Sequence, residues 1–323
     1  MKLVVNNKFN SYFKDSSLIS KPYLIAEIGV NHEGLLSKAM KLIKLAKKGG
    51  ADAVKFQTYK ADKIASKESP YYWDIKKEKT RSQHELFKKY DLLNKSDYIE
   101  LSKYCIEMEL EFLSTPFDDQ AVDDIDPLVS YFKIASADIT SIPLLKKIGQ
   151  KNKPVLISVG ASNLEEIKNA IFILNQSGCT DIGLLHCVLN YPTLNKDARL
   201  SKILSLKKFF PNYLIGYSDH TLPNKEMDTL KTASLLGAKV IEKHFTNDKN
   251  LPGNDHYHSM DYKDILNFTE SYKKIYKLLG NNKLSEFDDL ELISRKNARR
   301  SIVLSKEMLK DQVITEENIT YKR

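Results

Sequence analysis

Two histidines close two apolar runs in the second half of the chain. His220 ends the run 214–220 (LIGYSDH), and His244 lies near the end of the run 239–245 (KVIEKHF). Histidine is neither a good strand former nor an inexpensive residue to bury, so its recurrence at this position needs a reason. If the two runs are neighbouring strands, the imidazoles could bind a divalent metal and leave positions open for substrate and water. A structural histidine pair or a proton relay is the alternative.

Two lysines interrupt other apolar runs. Lys55 lies within AVKFQTY and Lys133 within YFKIASAD. An inward-pointing lysine in a strand is costly unless an anion meets it, and that anion could be a substrate, or Glu27 or Glu242 in a structural ion pair. Hydroxyl side chains suited to a phosphate and a carboxylate lie near the ends of the Lys133 run and of three other runs: Thr115, Ser136, Ser158 and Ser218. The sequence has no P-loop and no GxGxxG, so a bound nucleotide is not expected.

The elements that must position these residues alternate along the chain. Eight short, β-rich apolar runs occur at 23–30, 53–59, 111–117, 131–138, 154–160, 181–187, 214–220 and 239–245. Amphipathic helical patterns follow them, and eight βα units within about 260 residues are typical of a TIM (β/α)8 barrel. A doubly wound open sheet is the competing α/β architecture. Polar residues gather at the carboxyl ends of the runs, which favours the barrel, because those ends then all face one mouth.

One connection is longer than an ordinary βα loop. It runs from Lys60 to Asp97 and carries Trp73, the only tryptophan of the sequence. Long ordered loops at a barrel mouth usually cover the site, so this connection is either a cover or a surface excursion.

Composition and charge argue against several classes of protein. The net charge is +8, but no dense basic block or aromatic-interleaved basic patch accompanies it, so we interpret it as a solvated surface and expect no nucleic-acid partner. Cys105, Cys179 and Cys187 have neither CxxC nor zinc-ribbon spacing and indicate buried thiols in a reducing compartment. No signal-peptide core and no membrane-length apolar stretch is present. We therefore expect a cytoplasmic protein with no membrane partner.

Nine motifs, in order along the chain, resemble those of the sialic acid synthase family. They are EIGVNHEG (27–34), AVKFQTY (53–59), FLSTPFD (112–118), KIASADI (133–139), ISVGAS (157–162), LLHCVLNYPT (184–193), GYSDHT (216–221), IEKHFT (241–246) and PGNDHYHSM (252–260). The resemblance implies a transferase that condenses phosphoenolpyruvate with an N-acetylated amino sugar to give a nine-carbon ulosonic acid and phosphate. It also implies a homodimer and a divalent metal, Mn²⁺ or Mg²⁺, with His220 and His244 as its ligands.

The resemblance assigns further roles by position. The implied phosphoenolpyruvate site consists of Lys55, Thr115, Lys133, Ser136, Ser158 and Ser218. Glu27 resembles the catalytic carboxylate near the reacting centre. The implied sugar-binding residues are Gln57, Asn190, Tyr191, Glu242, Asp255 and Arg323. Asn190 is displaced by one place from the family pattern, and Arg323 resembles an arginine that reaches the sugar in the partner subunit.

The resemblance also predicts the domain organisation. A short N-terminal extension, 1–20, precedes the TIM-barrel synthase domain, 21–281; a linker, 282–297, follows. Residues 298–323 resemble the first part of a C-terminal antifreeze-like (SAF) domain, and we expect this domain to be truncated. They read as two short strands around a turn.

Three questions stay open at this point. The acceptor could be N-acetylmannosamine or a 6-deoxy diacetamido sugar. A related barrel synthase for another 3-deoxy sugar acid is a second possibility, although an aldose phosphate would need further Arg or Lys residues at the strand ends. A non-catalytic binding protein on a decayed barrel is a third, and it would be expected to have lost some of Glu27, His220 and His244.

Overall fold

The computed structural model describes residues 9–14, 21–253, 255–280 and 289–323. The chain divides into two compact units, Met1–Tyr276 and Lys277–Arg323. Of the predicted N-terminal extension, only 9–14 lies within the described residues, and the first part of the predicted linker, 282–288, lies outside them.

Eight parallel strands in the described part of the first unit form a nearly closed barrel. They are β1 Tyr23–Gly29, β2 Ala53–Thr58, β3 Glu111–Pro116, β4 Phe132–Ile134, β5 Val155–Ser158, β6 Ile182–Cys187, β7 Leu214–Asp219 and β8 Val240–His244. Strand β1 pairs with both β2 and β8, and β3 and β4 pack together at the remaining seam. The predicted TIM barrel is confirmed, since a doubly wound sheet would not place its first strand beside its last.

Amphipathic helices follow the barrel strands, as the sequence patterns predict, and further helices lie before the first strand and in the second unit. Their bounds are α1 Phe9–Lys14, α2 Leu36–Gly49, α3 Ala61–Ile64, α4 Gln83–Tyr90, α5 Lys95–Glu107, α6 Asp119–Ile125, α7 Ile142–Gly149, α8 Leu164–Gln176, α9 Lys202–Phe209, α10 Asp228–Leu235, α11 Tyr262–Leu279 and α12 Leu292–Ala298. Helix α8 begins at a capping box in which the Asn163 side chain accepts from the Glu166 amide and the Glu166 side chain accepts from the Asn163 amide.

Alternation along the strands explains how an apolar barrel carries a polar mouth. Successive side chains of a strand point to opposite faces. The inward layer near the floor of the barrel is apolar and includes Tyr23, Ile25, Ala53, Leu113, Tyr131, Leu156, Leu185, Leu214 and Val240. Two residues further along six of these strands, the positions are polar and buried: Glu27, Lys55, Thr115, Lys133, Ser158 and Glu242. The strands therefore place their buried polar and charged side chains at one end of the barrel.

The fourth strand is shorter than its predicted span, 131–138. It ends at Ile134 and is followed by a 3-10 turn over Ser136–Asp138. The Ser136 hydroxyl accepts a hydrogen bond from the Gly160 amide at 2.9 Å. This side-chain hydrogen bond replaces the backbone hydrogen bond that a longer strand would make there. Ser136 reaches the mouth from this turn and not from a strand.

The floor of the barrel is closed by the described part of the N-terminal extension. Phe9 of α1 is buried, and its ring stacks on Tyr131 with 3.8 Å between the ring centroids. Aromatic stacking of this kind fills the space between the apolar inner side chains.

The second unit contains the predicted strand pair. Strands β9 Ser301–Leu304 and β10 Ile319–Lys322 are antiparallel, and Thr320 pairs with Val303. Across both units, none of the helices that the structure describes is long and apolar enough to cross a membrane.

Candidate active site

A cavity of about 370 Å³ opens at the carboxyl ends of the barrel strands. The predicted site residues that line it are Glu27, Lys55, Gln57, Thr115, Lys133, Ser136, Ser158, Tyr191, Ser218, His220, Glu242, His244 and Asp255. Asn190 does not line the cavity, because its side chain is exposed in the turn before Tyr191. Arg323 lies in the second unit, so its role stays a prediction.

Two buried lysines and their hydroxyl partners form one side of the cavity. The Lys55 ammonium donates to the Thr115 hydroxyl at 2.9 Å, and the Lys133 ammonium donates to the Ser158 hydroxyl at 2.7 Å. Both lysines are almost fully buried, and burial lowers the pKa of Lys133 below its usual value, although Glu242 opposes this effect. Ammonium and hydroxyl donors that converge in a desolvated cavity suit an anion with several oxygens.

Two carboxylates share the charge of these lysines. Glu27 contacts the Lys55 ammonium, and Glu242 Oε1 lies 3.9 Å from the ammonium groups of both Lys55 and Lys133. Burial raises the pKa of Glu27 to about 7, with Lys55 opposing the rise and Glu242 adding to it. Burial would also raise the pKa of Glu242, but Lys133 and Lys55 hold it below its usual value. Environments that separate the pKa values of two acids are typical of acid–base sites.

A residue without a side chain makes room for these carboxylates. Gly29 ends β1 with φ at +54°, and the register of β1 against β2 shifts between Glu27 and Gly29. A Cβ atom at Gly29 would lie 3.1 Å from Glu27 Oε1 and 3.2 Å from Gln57 Nε2. The Gln57 amide donates to Glu27 Oε1 at 3.0 Å, so glycine here preserves the orientation of the Glu27 carboxyl group.

His220 and His244 lie next to each other in the wall of the cavity. Their ring centroids are 5.6 Å apart. His220 Nδ1 donates to the Val188 carbonyl at 2.8 Å, which leaves the Nε2 lone pair free for another partner. Burial lowers the pKa of His220 to about 4 and that of His244 well below its usual value. Both rings are therefore neutral at physiological pH, which is the form that binds metals.

The donor set at this pair fits a metal that accepts further ligands from substrate and water. His244 Nδ1 lies buried without a hydrogen bond, 3.4 Å from Asp255 Oδ2. A ligating histidine ordinarily donates its other ring nitrogen to a carbonyl, and His220 Nδ1 has a partner of this kind in Val188. Within the described residues, no group of three or more His, Cys, Asp and Glu side chains is placed to hold a metal by itself. Two imidazoles favour Mn²⁺ over Mg²⁺, because Mg²⁺ prefers oxygen ligands.

The structure adds residues that the sequence did not indicate. His258 is fully buried, with its ring centroid 5.0 Å from that of His244 and its Nε2 atom 3.6 Å from Asp255 Oδ1. Asp138 lines the cavity, and burial raises its pKa to about 6. Both residues belong to motifs already quoted, but neither has a strand-end position that would have singled it out.

The long connection between β2 and α5 forms part of the cavity wall. Its lining residues are Ile64, Tyr72, Gln83, Leu86, Phe87 and Tyr90. The Tyr72 ring centroid lies 6.3 Å from that of Tyr191. Trp73 is buried, and its indole N–H donates to the Glu78 carbonyl within the same connection. The connection is therefore part of the cavity wall and more than a surface excursion, and its role as a cover stays a prediction.

Comparison with known proteins gives consistent matches over most of the chain. A family model described as the NeuB family matches residues 42–284. The chain is 38% identical to N,N'-diacetyllegionaminic acid synthase of Legionella pneumophila, over 93% of this chain and 85% of that protein. It is 36% identical to N-acetylneuraminate-9-phosphate synthase of Drosophila melanogaster, over 78% of this chain and 67% of that protein. The crystal structure of N-acetylneuraminic acid synthetase from Leptospira borgpetersenii superposes with a TM-score of 0.74 at 31% identity, covering 86% of this chain and 91% of that one.

Proposed function

Because the chain belongs to the NeuB family, we propose that it condenses phosphoenolpyruvate with the open-chain form of an N-acetylated amino sugar, giving a nine-carbon ulosonic acid and phosphate. The relatives are sugar-acid synthases, so an enzyme of sialic acid-type biosynthesis is the coarser assignment. One observation supports the more specific assignment of phosphoenolpyruvate and an amino sugar as substrates. A single cavity has two buried lysines with hydroxyl partners on one side and two neutral imidazoles on the other.

The lysine side of the cavity would bind phosphoenolpyruvate. Lys55 and Lys133 supply charge, and the hydroxyls of Thr115 and Ser158 already point toward them as hydrogen-bonding partners. The phosphate and carboxylate of the substrate would compete with Glu27 and Glu242 for these cations. Charge-assisted hydrogen bonds in a desolvated site are the strong ones, which supports this placement.

His220 and His244 would hold the divalent metal, for which we propose Mn²⁺. When bound, the metal would supply Lewis-acid polarisation of the aldehyde oxygen of the sugar. The ring of Tyr191 lies 4.2 Å from that of His220, between centroids, and would orient the sugar beside it. Gln57 and Asp255 also line the cavity and offer hydrogen-bonding groups to the sugar.

Glu27 is the residue that we assign to proton transfer. Carbon C3 of phosphoenolpyruvate forms a bond to the aldehyde carbon while the π bond of the aldehyde breaks. Its electron pair moves to the aldehyde oxygen, which takes up a proton, and C2 is left deficient in electrons. Water then adds at C2 and gives its proton to the Glu27 carboxylate, whose pKa of about 7 suits a base near neutral pH. The C2–O bond to phosphate then breaks, and the C2 hydroxyl gives its proton to the departing phosphate and becomes the ketone. Lys55 and Lys133 would stabilise the departing phosphate.

The cavity lining favours an acceptor without a phosphate. Lys55 and Lys133 are the only cationic side chains among the described residues that line the cavity, and both are engaged by carboxylates. A sugar phosphate would need a second set of donors. A 3-deoxy sugar-acid synthase that uses an aldose phosphate is therefore the less favoured reading. The homodimer and the contribution of Arg323 across it stay predictions.

A phosphate-release assay over a panel of sugars tests this function. The panel contains N-acetylmannosamine, its 6-phosphate and a 6-deoxy diacetamido sugar, each with phosphoenolpyruvate and Mn²⁺. We expect phosphate release that depends on one of the two unphosphorylated sugars. Release with the 6-phosphate alone would contradict the acceptor assignment, and no release with any sugar would contradict the proposed condensation.

Removal of either buried lysine is expected to weaken phosphoenolpyruvate binding. Lys55→Ala and Lys133→Ala should each cost about 2 kcal/mol or more, roughly thirtyfold in the dissociation constant, since a charge-assisted contact in a desolvated site is lost. Titration calorimetry with phosphoenolpyruvate measures the change. Lys38→Ala is the control, because Lys38 pairs with Glu33 and does not line the cavity. An unchanged dissociation constant in both cavity variants would count decisively against this site.

A further inference from the structure

A buried ion pair lies directly behind the two histidines. Asp219 and Lys243 are opposite each other in the register of β7 and β8, and Lys243 Nζ lies 2.7 Å from Asp219 Oδ2. Both side chains are 0% exposed. Each of the two residues immediately precedes a histidine, His220 in one strand and His244 in the other. The ion pair thus joins the two strands at the level of the imidazoles.

The pair faces away from the cavity. Ser218 and Glu242 line the cavity, so their neighbours Asp219 and Lys243 point outward between the barrel and its helices. The hydroxyl of Thr229, on α10, lies 3.4 Å from Asp219 Oδ2 and is consistent with this position. The pair therefore does not touch a bound substrate, and any effect on the site has to pass through the backbone.

The pair holds the backbone on both sides of His220. Asp219 Oδ1 accepts from the Thr221 amide at 3.1 Å, and Asp219 Oδ2 accepts from the Thr221 hydroxyl at 3.0 Å. Lys243 donates to the Thr221 carbonyl at 2.5 Å. Tyr217 donates to Asp219 Oδ1 at 2.6 Å. The peptide segment that carries His220 is consequently tied to the residue that precedes His244.

Stability alone does not explain an ion pair at this place. Apolar side chains of similar volume often stabilise a protein as well as a buried ion pair does, because the two charges must be desolvated. What an ion pair adds is a fixed geometry between two strands. Metal–ligand distances tolerate deviations of only about 0.2 Å, so the separation of the two imidazoles has to be set closely.

We infer that the Asp219–Lys243 pair is a positioning device that sets the separation of the His220 and His244 imidazoles and thereby the metal affinity. The inference rests on the proposed metal site. Residues that orient metal ligands typically change metal affinity by about 10- to 100-fold when they are replaced. The pair should affect phosphoenolpyruvate binding much less, since Lys55 and Lys133 belong to other strands and Ser218 is the one residue assigned to that site that lies beside the pair.

The test compares metal and substrate affinity in a variant without the pair. Asp219→Leu with Lys243→Met replaces the ion pair by apolar side chains of similar size. We expect Mn²⁺ binding, measured by electron paramagnetic resonance of the free ion, to weaken about 10- to 100-fold. Phosphoenolpyruvate affinity measured without metal should stay within about threefold. The control is Asp126→Leu with Lys153→Met, a partly exposed pair 2.8 Å apart that joins the end of α6 to the segment before β5 and should leave Mn²⁺ affinity unchanged.

The outcomes separate this inference from the proposed function. If the wild-type chain binds Mn²⁺ and the double variant binds it equally well, the positioning role is wrong and the metal site stands. If the wild-type chain does not bind Mn²⁺, the metal site and this inference both fail. Should the double variant not fold, Asp219→Asn replaces it, and unchanged Mn²⁺ affinity in that variant overturns the inference.

Discussion

Replacing His220 or His244 with alanine is expected to lower turnover by about a thousandfold or more, because Lewis-acid stabilisation is worth several kcal/mol and each 1.4 kcal/mol is about tenfold in rate. Each change removes one of the two neutral imidazoles that lie 5.6 Å apart at the mouth. The rest of the barrel core is untouched, so circular dichroism and thermal unfolding should show a folded protein. The measurement is steady-state phosphate release with saturating Mn²⁺.

A third buried histidine provides the control for this prediction. His186 lies in β6, where its Nε2 atom bonds to the Ala198 carbonyl at 2.8 Å and its ring stacks on Tyr217. It does not line the cavity. His186→Leu should therefore lose stability and keep most of its turnover. Full turnover of the wild-type chain after exhaustive metal removal in excess chelator would contradict the metal dependence.

Replacing Glu27 with glutamine is expected to lower kcat by about 10²- to 10⁴-fold, the usual contribution of a general base. The change keeps the shape of the side chain and its place beside Lys55. It also removes a pH dependence. With its pKa near 7, the Glu27 carboxyl group becomes ionised as the pH rises through neutrality, so kcat of the wild-type chain should rise over this range. The glutamine variant should lack this rise.

The control for Glu27 is a second buried glutamate. Glu111 lies at the start of β3 and accepts from the Tyr23 hydroxyl, near the opposite end of the barrel from the cavity. Glu111→Gln should retain the rise of kcat with pH. A wild-type rise that persists unchanged in the Glu27→Gln variant would show that another group takes the proton.

Much of the barrel follows from the sequence because its pattern is local. In β1 and β2, an apolar inward position is followed two residues later by Glu27 and Lys55, and this alternation alone places both at the mouth. Every predicted strand has its counterpart, with ends that differ by a few residues. Lys55 and Lys133 can be identified from the sequence as site residues because a buried charge inside an apolar run needs a partner of opposite charge. The structure supplies the partner that the sequence left open, in Glu27 and Glu242.

The parts that sequence did not predict depend on contacts between distant segments. The strand over 131–138 ends early because Ser136 bonds to the amide of Gly160, and no local pattern indicates that bond. The resemblance assigns Asn190 to the sugar site by its position along the chain, yet its side chain is exposed in the segment before Tyr191. The partnership of Asp219 and Lys243 depends on the register between β7 and β8, which is a property of the sheet and not of either strand.

The central claim is that this cavity joins phosphoenolpyruvate to an amino sugar with addition of water at C2. The most direct measurement follows the oxygen that bridges C2 and phosphorus, labelled with ¹⁸O, in a reaction of the full chain with Mn²⁺ and the preferred sugar. Mass spectrometry of the products should find the label in the released phosphate, since the C2–O bond breaks after water adds, and a nine-carbon acid should form in equal amount. Label retained on C2 of the product, or phosphate released without that acid, would contradict the account.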